Sequence, residues 1–255
     1  MPINSESYRA LALQVTCHAV NQTNDASGGL RLRQQARSLM QNSINRLAQQ
    51  IAASIAFIGF DCRLIVLPEY FLTGFPMGDS LLGWAEKACI EMAGAEYEAL
   101  GKIAQKHKIF LAGNAYEVDP NFPGLYFQTC FILDPSGSIV LRYRRLNSLF
   151  APTPHDVWDK YLDCYGLEGV FPVAKTAIGN LAAFAEIDLR ALRRDRRRPG
   201  LNNLLSRQRF ELYAESYLQS HFYPANTMLE GEVDRKHFLQ TQQATIERLA
   251  KLGII

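Results

Sequence analysis

Leu64-Ile-Val-Leu-Pro-Glu69-Tyr-Phe-Leu-Thr-Gly-Phe-Pro76 is the stretch on which the reading of this chain turns. Leu64 to Leu67 is a short, continuous apolar run, the pattern of a strand buried on both faces. Proline cannot donate to a sheet ladder, so Pro68 predicts that the strand closes at Glu69. A carboxylate at that point is costly to desolvate unless it has a partner or a task. Tyr70, Phe71 and Phe75 then interleave with Gly74 and Pro76, which makes an aromatic loop with turn residues.

The pattern on either side extends this strand into an α/β alternation. Upstream, Ala10 to Cys17 reads as an opening strand and the polar run Asn21 to Gly29 as a loop. Ala36, Leu39, Met40, Ile44, Leu47, Ile51 and Ile55 recur at spacings of three and four, one stripe of a long amphipathic helix. Downstream, Ala95 to His107 repeats the helical pattern, and Ile109 to Gly113 is a second buried strand. Phe127 to Leu133 and Ser138 to Tyr143 flank Asp134-Pro-Ser-Gly137, a hairpin by its turn chemistry. Helices alternating with strands in this order predict a sheet with helices covering its faces.

Composition narrows the class. A hydrophobic share of 48% supplies a core and excludes a wholly disordered chain, while a net charge of +2 is too mild for nucleic-acid binding over the whole surface. The N-terminus is polar and no apolar run approaches the roughly 20 residues of a membrane span, so a soluble, cytoplasmic protein is expected. Cys17, Cys62, Cys89, Cys130 and Cys164 are scattered and odd in number. Small buried hydrophobes in a reducing compartment are the simplest account of them. The five histidines lack metal-ligand spacing, and no phosphate-binding, dinucleotide or serine-hydrolase motif occurs, so no cofactor or metal is expected.

The strand ending in Leu-Pro-Glu69-Tyr with its aromatic loop, and the Gly137-Ser-Ile-Val-Leu-Arg-Tyr-Arg-Arg145 strand after a Pro-x-Gly turn, together resemble the nitrilase (carbon–nitrogen hydrolase) superfamily. The resemblance implies an αββα sandwich and hydrolysis of a non-peptide amide or nitrile by a Glu, a Lys and a Cys in one pocket. On that pattern Glu69 would be general base and acid, and Arg145 would take the lysine position as the fixed cation. The alternatives are a strand-end glutamate in a salt bridge and, at Arg144 and Arg145, arginines that solvate a strand end. His155 and Asp156 are read as a helix N-terminal turn after Pro154 rather than an acid–base pair.

The nucleophile has no counterpart. Phe171 to Ala185 resembles the approach to the family's cysteine strand, but beyond Thr176 no cysteine, serine or threonine occurs before Ser206. Cys164 precedes this strand and is not read as a substitute. The chain then passes to text that resembles the family's closing tail, including six arginines between Arg190 and Arg198 and the stretch Asn202 to Tyr213. The expected organisation is therefore a shortened nitrilase-like domain over residues 1–185, incomplete in its second half, followed by an Arg-rich, helical C-terminal tail over 186–255. The expected function is weak or absent hydrolysis; the alternative is a non-catalytic relative that binds a small amide or nitrile, or a partner subunit. A homo-oligomer is expected from sheet edges left uncovered. The arginine run is read as a solvated or subunit-packing segment in preference to a nucleic-acid patch.

Overall fold

The structure is a computed structural model that describes residues 7–20, 30–76, 78–146, 148, 151–178, 186–188, 225–229 and 235–251. Its centre is one mixed sheet. Three strands run parallel: β1 (Ser7–Ala12), β2 (Cys62–Val66) and β4 (Phe110–Val118). The two-residue β3 (Ile90–Glu91) adds to the end of β4. From β4 the chain doubles back through β5 (Tyr126–Leu133) and β6 (Ile139–Arg144), both antiparallel, and β7 (Glu186–Asp188) lies antiparallel on β1. The order across the sheet is β6-β5-β4-β2-β1-β7.

Helices make the parallel crossovers, as parallel pairing requires. α1 (Leu30–Ile58) joins β1 to β2, and α2 (Leu81–Ala88) and α3 (Ala95–His107) lie between β2 and β4. The predicted α1 stripe is the buried one: Ala36, Met40, Ile44, Leu47, Ile51 and Ile55 are each 6% exposed or less. They join Leu100, Ile103 and Ala104 of α3, and Leu111, Ala115, Phe127, Phe131 and Leu133 from alternate positions of β4 and β5, in one core. A smaller core on the other side of the sheet holds Tyr8, Ala10, Leu64, Phe110 and Ile178. Each large aliphatic side chain buried this way contributes about 1.5–3 kcal/mol relative to exposure, so the two cores, not helix propensity, hold the layers together.

Two backbones touch where α3 meets the β5–β6 turn. A Cβ at Gly101 would lie 2.5 Å from the Gly137 carbonyl oxygen, and Gly137 itself sits at φ +87°. The Asp134-Pro-Ser-Gly turn is as predicted, with the Asp134 carboxylate accepting from Ser136 and Ser138 N–H groups. After β6 comes a single 3-10 turn at Pro154–Val157, then α4 (Trp158–Val170), interrupted at Gly166 (φ 61°). α5 (Lys236–Lys251) is a further helix, with Phe238 buried in the main core.

Several sequence expectations need correcting. The opening strand is Ser7–Ala12, not Ala10–Cys17, although Leu13 still donates to Val66 at 2.9 Å. β2 ends at Val66, with one further bond from Leu67 N to Ala112 O, so Glu69 stands in the turn after the strand. β7 was not anticipated, because three residues carry no periodicity. Cys62 and Cys89 are buried as expected; Cys17, Cys130 and Cys164 are exposed. The loop Asn21 to Gly29, the cysteine-strand window from Gly179 to Ala185, the Arg190–Arg198 run and Asn202 to Tyr213 lie outside the described residues. No helix among the described residues is long and apolar enough to cross a membrane.

Candidate active site

The site is built from the ends of β2, β4, β5 and β6. Proline at 68 stops the ladder, and Tyr70 then adopts φ +61°, a left-handed conformation uncommon for a residue with a Cβ. The turn is closed by Gly74 N donating to Tyr70 O at 3.1 Å, and Cys17 Sγ donates to the same oxygen at 3.0 Å. Gly74 has no substitute here: φ is +73°, and a Cβ would meet the Ala19 Cβ at 2.8 Å. This turn swings Glu69 toward β5 and packs Tyr70 on Tyr116 of β4, stacked at 5.9 Å, with Phe75 edge-on at 5.7 Å. Burial pushes the Tyr116 phenol well up, with Tyr70 adding to it, so that phenol stays neutral.

Strand alternation decides which arginine reaches the site. Arg144 and Arg145 are neighbours, so their side chains leave opposite faces of the sheet. Arg145 N still donates to Gln128 O at 2.9 Å, and its guanidinium falls on the Gln128 face. Its Nη1 lies 3.0 Å from Glu69 Oε1 and donates to Gln128 Oε1 at 2.8 Å. Gln128 Nε2 donates to Glu69 Oε1 at 2.5 Å and to Asn114 Oδ1 at 3.2 Å, and Asn114 Nδ2 reaches Cys130 Sγ at 3.4 Å. Gln128 is buried, whereas the Glu69 and Arg145 side chains are 50% and 44% exposed. The desolvation penalty expected at Glu69 is thus largely avoided: the carboxylate is half in water and already paired.

Above this pair opens a cavity of about 170 Å³, lined by Tyr70, Phe75, Pro76, Tyr116, Gln128, Arg145, Ser148 and Ala151. None of these lining residues carries a thiol. Among the described residues no group of three or more His, Cys, Asp or Glu side chains is placed to hold a metal ion.

Arg144 belongs to the opposite face and does not solvate a strand end. It is 2% exposed, with Nη2 3.1 Å from Glu117 Oε1 and Nη1 2.6 Å from Asp119 Oδ2. Phe127, Tyr165 and Tyr161 ring the guanidinium with centroids at 4.6, 5.0 and 5.6 Å. Arg142 and Tyr97 complete the shell of Glu117 at 2.8 and 3.0 Å, and Tyr165 donates to Asp119. Burial acts against the charge on Arg144, but Glu117, Tyr161 and Asp119 more than offset it and its pKa rises. Burial likewise raises Asp119, yet the Tyr165 and Asn121 hydrogen bonds and the Arg144 charge outweigh it, leaving that carboxyl below its usual value. This buried cluster pins β6, and with it the backbone that presents Arg145.

Glu69 and Arg145, named from the sequence, therefore meet. Gln128, Asn114 and the Tyr70–Tyr116 wall were missed. Their signal was there: Asn114 and Gln128 are uncharged polar residues inside otherwise apolar strands, on one face by the register Asn114↔Cys130 and Tyr116↔Gln128. Asp156 does not pair with His155. It accepts from Thr153 N, Thr153 Oγ1 and Thr227 Oγ1 at 2.8, 2.7 and 3.0 Å, a cap on the predicted turn. The His155 ring tilts against Trp158. Cys164 stands exposed on α4.

A parallel-centred sheet whose strand ends present a paired acid and cation beneath an aromatic cleft defines an α/β protein with its candidate site at the sheet terminus. The chain belongs to the carbon-nitrogen hydrolase family, whose model matches residues 11–196. A formamidase of Helicobacter acinonychis (strain Sheeba) is 26% identical over 120 residues, 47% of this chain and 34% of its own length. The match thus spans about a third of that relative. Among solved structures, a carbon-nitrogen hydrolase from Helicobacter pylori G27 is 15% identical with a TM-score of 0.38, covering 56% of this chain and 40% of that one. Saccharomyces cerevisiae Nit3, of the nitrilase superfamily, is 23% identical with a TM-score of 0.37, covering 43% and 40%.

Proposed function

We propose that this chain is a carbon-nitrogen hydrolase relative that keeps an amide- or nitrile-binding cleft and turns its ligand over weakly or not at all. The observation that carries this reading is the direct contact of Arg145 with Glu69 at 3.0 Å. A general base needs a lone pair facing the nucleophile and freedom to take its proton. Glu69 Oε1 instead accepts from Arg145 and Gln128 together, and an arginine does not give up its proton near neutral pH. The sequence places no thiol in the strand where the family's nucleophile belongs, and a carboxylate without a nucleophile to activate has no first step to catalyse. What remains is a polar floor and aromatic walls, the makings of a binding site.

Self-association is part of the same proposal. Phe57 and Phe60 flank the end of α1 at 91% and 88% exposure, an apolar pair that a second copy would cover. Size-exclusion chromatography with light scattering should return a mass above 28.7 kDa. A clean monomer would remove this part.

The activity test measures ammonia released from formamide, acetamide, propionamide and propionitrile, with the full chain and its Glu69→Gln variant side by side. The expected result is no saturable release from either. Saturable release that Glu69→Gln abolishes would overturn the reading, because it would demand both a working base and a nucleophile.

A further inference from the structure

We infer that the cleft selects a flat, neutral, aromatic carboxamide and excludes its charged isosteres. This rests on the reading of the cleft as an amide-binding site and adds its selectivity. Size comes first. A cavity of about 150 Å³ accommodates a benzene molecule, so the 170 Å³ here holds one six-membered ring with one small substituent. The walls suit a ring: Tyr70 and Tyr116 stand nearly parallel, Phe75 presents its edge, and Pro76 and Ala151 add apolar surface. Aromatic groups meet such walls by offset stacking or edge-to-face contact, worth about 0.5–1.5 kcal/mol beyond area burial.

The floor sets the charge. Arg145 and Gln128 line the cleft, and both hold Glu69, which is not among the lining residues and balances the arginine's charge. A carboxylate ligand reaching for Arg145 would lie against the Glu69 carboxylate. An amidinium reaching for Glu69 would lie against the Arg145 guanidinium. Like charges forced together in this way oppose binding. A primary carboxamide carries both halves on one small plane: its carbonyl accepts from Arg145 and its N–H donates to the Gln128 carbonyl oxygen. A nitrile supplies only the acceptor. The complementary group is therefore the neutral one that is donor and acceptor at once.

The test is a titration of the full chain with benzamide, benzoate, benzamidine and propionamide, followed by calorimetry or ligand-observed NMR. Benzamide should bind at least tenfold more tightly than either charged isostere and more tightly than propionamide. Glu69→Gln, at a half-exposed position that does not threaten folding, should shift the preference toward benzoate, and Arg145→Gln should shift it toward benzamidine. That pair of opposite shifts is a readout a general loss of structure cannot produce. Benzoate or benzamidine binding best to the unaltered chain would overturn the inference. So would propionamide binding without benzamide, although the amide-binding reading would survive that result. Binding of none of the four would overturn both.

Discussion

Replacing Arg144 with methionine tests whether the buried charge cluster holds the site in place. Methionine keeps much of the stem and the contact with Phe127, Tyr161 and Tyr165, but removes the charge that faces Glu117 and Asp119, which are 0% and 2% exposed. Breaking a buried ion pair by removing one partner costs about 3–5 kcal/mol, because the remaining charge stays dry and unpaired. Arg142 still holds Glu117 at 2.8 Å, so the loss falls chiefly on Asp119 and the expectation sits near the lower bound, about 3 kcal/mol. For a chain of this size that lowers Tm by about 6–12 °C, at roughly 2–4 °C per kcal/mol. The pH dependence carries a sign. In the unaltered chain Asp119 titrates below its ordinary value, so its stabilisation is present above the unfolded carboxylate pKa and is lost as pH falls through the folded one. Without Arg144 the Tyr165 and Asn121 hydrogen bonds still hold the carboxyl down but the balancing cation is gone, so the buried carboxylate costs more at neutral pH than once protonated. The gap between variant and parent should therefore narrow from pH 7 toward pH 4. Thermal melts by circular dichroism across that range, with Asp119→Asn added to the variant as a rescue, are the assay. A loss under about 1 kcal/mol, or a gap that widens in acid, would refute the reasoning.

Other measurements address the rest of the framework. Gly101→Ala should cost about 1–3 kcal/mol by overpacking, since its Cβ would meet a backbone carbonyl at 2.5 Å rather than a movable side chain; a neutral urea-unfolding midpoint would show that α3 and the β5–β6 turn do not touch. Ellman's reagent with peptide mapping should label Cys164 and Cys130 readily, and Cys62 and Cys89 only on unfolding. Cys17 should lag Cys164 at pH 7, because burial raises its thiol despite the opposing backbone contact with Gly74; fast labelling of Cys89 would contradict the core as described. Burial also raises the Tyr126 phenol to about 12, so its phenolate should be missing from an ultraviolet titration stopped at pH 11.

The parts of this molecule legible in sequence are those with a period or a punctuating residue. The α1 stripe, the α3 repeat and the Asp134–Gly137 hairpin appear where the pattern put them, because burial of one face enforces a spacing of three and four and a turn enforces proline and glycine. β1 and β7 were misjudged or missed because short strands owe their existence to a neighbour's free edge, which no local pattern records. At the site, Glu69 was legible through Pro68, which ends the ladder and leaves the next carboxylate at the sheet's edge. Gln128 and Asn114 were not, since their meaning comes from cross-strand register. For Arg144 the sequence suggested no role beyond the alternative of solvating a strand end, because Glu117 and Asp119, which make its burial tolerable, lie more than 20 residues away in sequence.

Arginine at 145 bears on function more than the simple retention of a positive charge suggests. A guanidinium is a planar fork whose donors lie in fixed directions, whereas a lysine ammonium is a compact point charge on a flexible stem. In this cleft one Nη of the fork contacts both Glu69 Oε1 and Gln128 Oε1, so acid, amide and cation are joined in one set. Arg145→Lys should open that set. Lysine brings the family's usual cation, yet its stem is one bond shorter and it lacks the guanidinium's fixed donor directions, so it does not restore the position of that Nη. The expected outcome is a benzamide affinity reduced about tenfold, the equivalent of one charge-assisted hydrogen bond of about 1.4 kcal/mol, with no ammonia released. The two readouts separate the two ideas. Unchanged benzamide affinity would mean that the fork is not what recognises the amide. Ammonia release from Arg145→Lys would mean that arginine alone had silenced the site, and that a nucleophile is within reach of it after all.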